Sequence, residues 1–266
     1  MSQLGPSAYL AHIRRESARF REVLAACSPD ARVPSCPDWD AADLLWHLGE
    51  VQHWWHHVVS TRPAPPADYP EPERPTSYDA LLGFFDEWHG RFVEVLEAAD
   101  PADAAWSWSS RPQHQDIAFT YRRQAHEALI HRLDAELAAG DVTPLPTDLA
   151  ADGVEEALDV MYGGLPAWAT FTPDGRFAEF RISDADASVW VELGTFSGTA
   201  PDGTVHADEP DLHLAAAPGR PADLVYAGTA EALDGWLWHR RDGEVEASGD
   251  PGTSEHVGAV LGQPIN

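Results

Sequence analysis

The chain has no lysine, and only two cysteines and two methionines in 266 residues. Two thiols, Cys27 and Cys36, are too few for a secreted disulfide scaffold of this size. No stretch approaches the roughly 20 apolar residues that a membrane helix needs. The first residues, MSQLGPSAYLAHIRRESARF, lack the apolar core and small-residue cleavage site of a signal peptide. These shortages together point to a cytoplasmic protein. Positive charge is scarce too: 17 arginines face 44 acids, a formal charge of −27. So negative a surface repels nucleic acid and anionic lipid, which sets both aside as partners. The lack of Lys beside abundant Ala reads as codon bias of a GC-rich, actinobacterial kind, not as chemistry.

What is present is globular in character, with 44% apolar and 23% charged residues. The length suits one large domain or two ordinary ones. The first half reads as helix. Over 8–27, Leu10, Ile13, Phe20, Val23 and Leu24 recur at helical spacing. Pro29, Pro34 and Pro37 then interrupt the chain. A second helix is expected to start near Asp40, with Asp43 three residues on as a capping-box partner. Residues 63–75 hold six prolines and read as a surface loop. A third helix is expected over 77–99 and a fourth over 118–139, ending at Gly140. Four helices with one long crossover make a bundle. After Pro144 and Pro146 the pattern changes. One more helix is expected over 148–162. The alternating runs 177–183, 188–194, 211–217 and 243–249 then read as half-buried strands, and 222–228 precedes a helix-like TAEALDGWLWHRR. The expected fold class is α+β, with domains over 1–147 and 148–266.

Nine of the 13 histidines precede residue 132. The sharpest cluster is His126-Glu127-Ala128-Leu129-Ile130-His131. Glu127 and His131 lie four residues apart and share a helix face, where a carboxylate and an imidazole one turn apart can hold one ion. Such a pair alone is more often a solvated hydrogen bond. Here its apolar neighbours suggest a buried face, and a buried carboxylate needs a partner. If the second and fourth helices face each other, His47 completes a His₂Glu set; three protein ligands and an open position describe a catalytic metal site. His53, His56, His57 and Glu50 compete as ligands. His53 could line the same cavity without binding, His56 and His57 read as interfacial, and His126 should pack against a neighbouring helix. Trp54, Trp55, Trp106 and Trp108 are candidates for a pocket wall. Cys36 reads as a small residue in a turn before a helix, and the serines at 107–110 have no base at useful spacing.

Two segments resemble the mycothiol-dependent maleylpyruvate isomerase family. VPSCPDWDAADLLWHLGEVQHWW (33–55) is similar to its Cys-Pro-x-Trp turn followed by His-Leu-Gly. RRQAHEALIHRLDAE (122–136) is similar to its His-Glu-x-x-x-His-x-x-Asp helix. Residues 151–160 and 227–250 resemble the family's sterol-carrier-like C-terminal domain. The resemblance implies a DinB-like metal-binding four-helix bundle followed by a smaller α+β sterol-carrier-like domain. It implies metal ligands at His47, Glu127 and His131, and a substrate-holding arginine at Arg240 or Arg241, although this chain has His239 where the family usually has Gly.

The implied chemistry is that of a divalent ion, zinc by default, with nickel, iron or manganese also fitting the ligand set. A metal-bound thiol loses its proton at neutral pH. With mycothiol as cosubstrate, such a site isomerises a small electrophile by addition and elimination, or transfers the thiol to it. The substrate identity and the oligomeric state are not legible. The alternatives are a small-molecule or lipid carrier with a non-catalytic metal site, and a metal-dependent hydrolase.

Overall fold

The computed structural model describes residues 3–242 and 244–265. It divides into two compact units, Leu4–Pro144 and the chain from Leu145 on. The first unit is helical: α1 (Pro6–Ala26), α2 (Ala41–Thr61), α3 (Tyr78–Glu97) and α4 (Ile117–Ala139). α1 packs on α4 and α3, and α2 packs on α3 and α4. Local chemistry sets the ends. Asp40 accepts from the backbone of Asp43 while the Asp43 carboxylate accepts from the Asp40 N–H, a complete capping box at the start of α2. Asp116 caps α4 through Phe119 N at 2.8 Å, and Gly140, at φ 72°, ends it in the left-handed conformation that glycine adopts at no steric cost.

Phe20, Val23 and Leu24 of α1, Leu44, Leu45 and Leu48 of α2, and Leu81 and Phe85 of α3 form the core of this unit. Each such side chain contributes roughly 1.5–3 kcal/mol when fully buried. α4 is different. It is buried on all sides, with 18 of its 23 residues inside, and many of them are polar. Buried polar groups need partners, and α4 supplies several from its neighbours. Arg132 donates to Glu16 of α1 at 3.0 Å and to Glu136 at 2.7 Å, and Arg19 of α1 reaches the other Glu136 oxygen at 2.7 Å. This ionic net fastens α1 to α4.

The second unit holds α5 (Thr147–Glu156), which continues as a π-helical turn over Ala157–Tyr162, then β1 (Ala169–Ile182), β2 (Ala187–Thr199), β3 (Val205–Ala215), β4 (Leu224–Gly228), α6 (Ala230–Leu237), β5 (Glu246–Gly249) and α7 (Pro251–Leu261). One sheet forms in the order β3-β2-β1-β4-β5. Its pairs are antiparallel except β1 with β4. Ala178, Phe180, Ile182, Val189, Val191, Leu193 and Leu212 face its interior. α6 packs on β1 and β4, and α7 packs on β3 and β5. Gly153 lets α5 approach α6; a Cβ there would lie 2.6 Å from Asp234 Oδ1. The fold class is thus α+β, helices first and a five-stranded sheet after.

Three strands run further than alternation suggested. β1 begins at Ala169 and passes through Pro173, Asp174 and Gly175, residues that read as a turn, by shifting register between Pro173 and Phe177; a bulge absorbs residues that a regular ladder rejects. β3 begins at Val205 and includes Asp208, Glu209 and Pro210. It is an edge strand, where charge and proline are tolerated. α7 was not expected from the sequence. Its signal was legible, since Asp250 caps Thr253 N at 2.7 Å and Pro251 opens the helix.

Candidate metal centre

The turn before α2 is tied down by its own backbone. Val33 N–H donates to Trp39 O at 3.1 Å, and Ala41 N–H donates to Ala31 O at 2.9 Å. The turn sets the Trp39 ring 4.8 Å from the His47 ring and 6.3 Å from the His131 ring. α2 and α4 pack together, so His47, in the second turn of α2, meets Glu127 and His131 of α4. His47 Nε2 lies 3.4 Å from Glu127 Oε1, and His131 Nε2 lies 3.1 Å from the same oxygen. Ligand atoms of the three residues all fall within 4.8 Å of one another, and no other such group of His, Cys, Asp and Glu exists among the described residues.

The donor set fits a divalent ion. Two ligand atoms about 2.1 Å from one ion at the tetrahedral angle lie about 3.4 Å apart, close to the separations here. The supporting contacts fit as well. His131 Nδ1 faces Asp134 Oδ2 at 3.0 Å, and Asp134 Oδ1 accepts from Ser35 Oγ at 2.5 Å. A carboxylate on the far ring nitrogen is what orients a metal-ligating histidine. Arg123 donates to Glu127 Oε2 at 2.8 Å, which holds one carboxylate oxygen and leaves Oε1 toward the two imidazoles. Without an ion, His131 sits between two carboxylates with both nitrogens placed to donate. Burial disfavours its charged form, but Glu127 and Asp134 outweigh burial and push its pKa up to about 9. Burial also opposes ionisation of Glu127, yet the charge and hydrogen bond of His131, with His47 and Arg123, hold its pKa well below the carboxylate range.

The competing histidines are engaged elsewhere. His53 Nδ1 pairs with Tyr69 OH at 2.7 Å, and its ring meets Trp88 edge-on at 4.0 Å; burial, with His56, His57 and Arg91 nearby, lowers its pKa. His56 packs on Trp88 and His57 on Tyr69. His126, fully buried, meets Tyr9 of α1. Of the tryptophans, Trp54 meets Trp106 at 6.0 Å, while Trp55 and Trp108 both contact Phe119 at the start of α4. Cys36 is half-buried in the turn and packs on the core of the helical unit.

Arg240 and Arg241 follow α6 in the other unit. Arg240 is buried and donates through Nη1 to Trp238 O at 2.6 Å. Arg241 pairs with Glu231 at 2.5 Å, and its stem covers Gly235. His239 takes φ 58°, a left-handed conformation that glycine adopts without strain, and its Nε2 faces Leu261 O at 2.7 Å.

Asp134, Arg123, Ser35 and Trp39 were not assigned roles from the sequence. Helical spacing could have found two of them, since Asp134 lies three residues after His131 and Arg123 four before Glu127. Ser35 and Trp39 depend on the fold of the turn.

A family model, mycothiol maleylpyruvate isomerase N-terminal domain, matches residues 10–136. No curated protein matches the chain. Among solved structures, the mycothiol-dependent maleylpyruvate isomerase matches with TM-score 0.62 and 13% identity, over 93% of this chain and 96% of that one. A histidine-to-alanine mutant of the same enzyme matches with TM-score 0.64 at the same identity and coverage. At that identity the likeness concerns the fold, and it extends through both units.

Proposed function

Because the N-terminal domain of this chain belongs to the mycothiol maleylpyruvate isomerase N-terminal domain family, we propose that the protein is a metal-dependent, thiol-dependent cis-trans isomerase. Its substrate is a small electrophile with a conjugated double bond, and its thiol is of the mycothiol kind. The observation that carries this reading is the set of three donor groups His47, Glu127 and His131 within 4.8 Å. Three protein ligands leave a coordination position open, as catalytic zinc sites do, and zinc is the ion we assign. Among the described residues no helix is long and apolar enough to cross a membrane. Because the reading needs a reduced small thiol, we place the enzyme in the cytoplasm, where small thiols stay reduced.

When bound, the ion supplies the charge that lets a thiol give up its proton at neutral pH. The residues of the chain do the rest. Arg123 fixes Glu127 so that one oxygen faces the site, Asp134 and Ser35 fix the His131 ring, and Trp39 shields the two imidazoles from one side. The thiolate adds to the double bond and the electron pair moves onto the conjugated carbonyl; rotation follows about the resulting single bond, and the electron pair returns to re-form the double bond and expel the thiolate. For an anion-holding role in the C-terminal unit the candidates are Arg240 and Arg241, which follow α6.

The test is conversion of maleylpyruvate by zinc-reconstituted protein with and without mycothiol, followed by chromatography. Isomerisation that requires both zinc and thiol is expected. Turnover that needs no thiol contradicts the proposal and favours water activation by the same three ligands.

A further inference from the structure

α4 carries more of the site than its two ligands. At 100° per residue, Thr120 and Gln124 fall on the same stripe of the helix as Glu127 and His131. Gln124 lies three residues toward the N-terminus from Glu127, about 4.5 Å along the axis, and Thr120 lies seven residues away, about 10.5 Å. Both side chains are buried: Thr120 is 0% exposed and Gln124 2%. Thr120 Oγ1 and Gln124 Oε1 have no hydrogen-bond partner among the described residues. Elsewhere on α4 the buried polar side chains of Arg123, His131, Arg132 and Glu136 are all matched. A buried acceptor left without a donor destabilises the fold. Two of them in sequence, on the stripe that starts at the metal ligands, mark a place where something outside the chain completes the bonds.

We propose that Gln124 and Thr120 are the recognition residues for the body of the thiol, with Gln124 accepting from the amide N–H that a cysteinyl thiol carries three bonds from its sulfur, and Thr120 meeting a hydroxyl farther along the same molecule. This rests on the thiol-dependent reading above and adds to it which part of the thiol is read, and by what. The order follows from the axial distances. A sulfur at the ion places the first amide of a cysteinyl thiol at the level of Gln124, and only a longer molecule extends to Thr120. The aromatic residues at the N-terminal end of α4, where Phe119 meets Trp55 at 6.4 Å and Trp108 at 6.0 Å, give that end apolar surroundings. There a hydrogen bond discriminates more strongly than in water.

The test uses two short thiols that differ only in the acetamide, N-acetylcysteine and 3-mercaptopropionate, titrated calorimetrically into zinc-reconstituted protein. Wild-type protein is expected to prefer N-acetylcysteine by about tenfold, the effect of one buried hydrogen bond. Gln124→Leu should abolish the preference while leaving zinc content and 3-mercaptopropionate affinity unchanged. Its metal-free form should melt no lower than wild type, because a leucine removes an unmatched polar group from the interior. Thr120→Val should weaken binding of mycothiol and leave N-acetylcysteine unaffected. A preference that survives in Gln124→Leu overturns the inference, as does a Gln124→Leu protein that is destabilised or fails to fold, since that outcome gives the residue a structural role. Equal binding of the two thiols by wild type overturns the inference alone. Failure of both thiols to bind overturns the thiol-dependent reading and this inference with it.

Discussion

His131 Nε2 cannot hold a metal and a proton at once. A metal takes the neutral ring, yet in the metal-free chain Glu127 and Asp134 outweigh burial and raise its pKa to about 9. At pH 7 roughly one molecule in a hundred carries the neutral ring, so an incoming ion displaces a proton in nearly every binding event. Apparent zinc affinity at pH 7 should therefore be weaker than its limit above pH 9, on the order of 100-fold. The sign follows from linkage. A raised folded-state pKa gives the metal-free protein stability that is fully present below about 6.5, the unfolded value, and is lost as pH rises through about 9. Over that window the ion replaces the Nε2 proton that faces Glu127, while the Nδ1–H stays with Asp134. The assay is competition for zinc with a chromophoric chelator at pH 6.5, 7.5 and 8.5, with calorimetry in buffers of different ionisation enthalpy to count protons. The logarithm of the affinity should rise by about one per pH unit, with close to one proton released at pH 7 from this ring. An affinity independent of pH over that range would show that no proton leaves this ring when the ion binds.

Arg132→Met should destabilise the protein by about 3 kcal/mol at pH 7, the lower end of the cost of breaking a buried ion pair, because Arg19 still holds Glu136; denaturant unfolding measures it. The same cost should shrink in acid. Burial opposes ionisation of Glu16, but His12 and Arg132 outweigh it, and the Thr143 N–H with Arg19 and Arg132 does the same for Glu136. Both pKa values are lowered, so their stabilisation is present above the unfolded carboxylate pKa and is lost as pH falls through the lower folded values. Asp40→Ala removes the capping box of α2 and should cost about 1 kcal/mol. Because the cap lies seven residues from His47, elemental analysis should still find zinc in the folded variant.

The helices of the first unit were legible because their signals are local. Asp40 with Asp43, and Gly140 after a periodic run, mark ends that depend on a few neighbouring residues. Glu127 and His131 were legible as a pair for the same reason, since one helical turn separates them. That His47 joins them depends on α2 packing against α4, a non-local fact that spacing in one helix cannot supply, and the family resemblance supplied it ahead of the geometry. The four residues around the three donor side chains divide the same way. Asp134 and Arg123 obey helical spacing and were readable in principle, whereas Ser35 and Trp39 arrive through a turn whose shape no short window encodes. In the second unit, alternation found the middle of each long strand and missed the extensions. Pro173 and Gly175 survive in β1 through a register shift, and Asp208 to Pro210 survive in β3 because it is an edge. The buried and unmatched Gln124 is invisible to sequence, since glutamine on a helix is ordinarily a surface residue.

The most direct measurement is the zinc content of the reconstituted, dialysed protein and of His47→Ala, Glu127→Ala and His131→Ala, each first shown to be folded by circular dichroism. We expect close to one ion per chain in the wild type and near-complete loss in each variant, because two remaining ligands do not hold zinc against dialysis. Full zinc retention by any one of the three folded variants would contradict the claim that His47, Glu127 and His131 together form the metal centre.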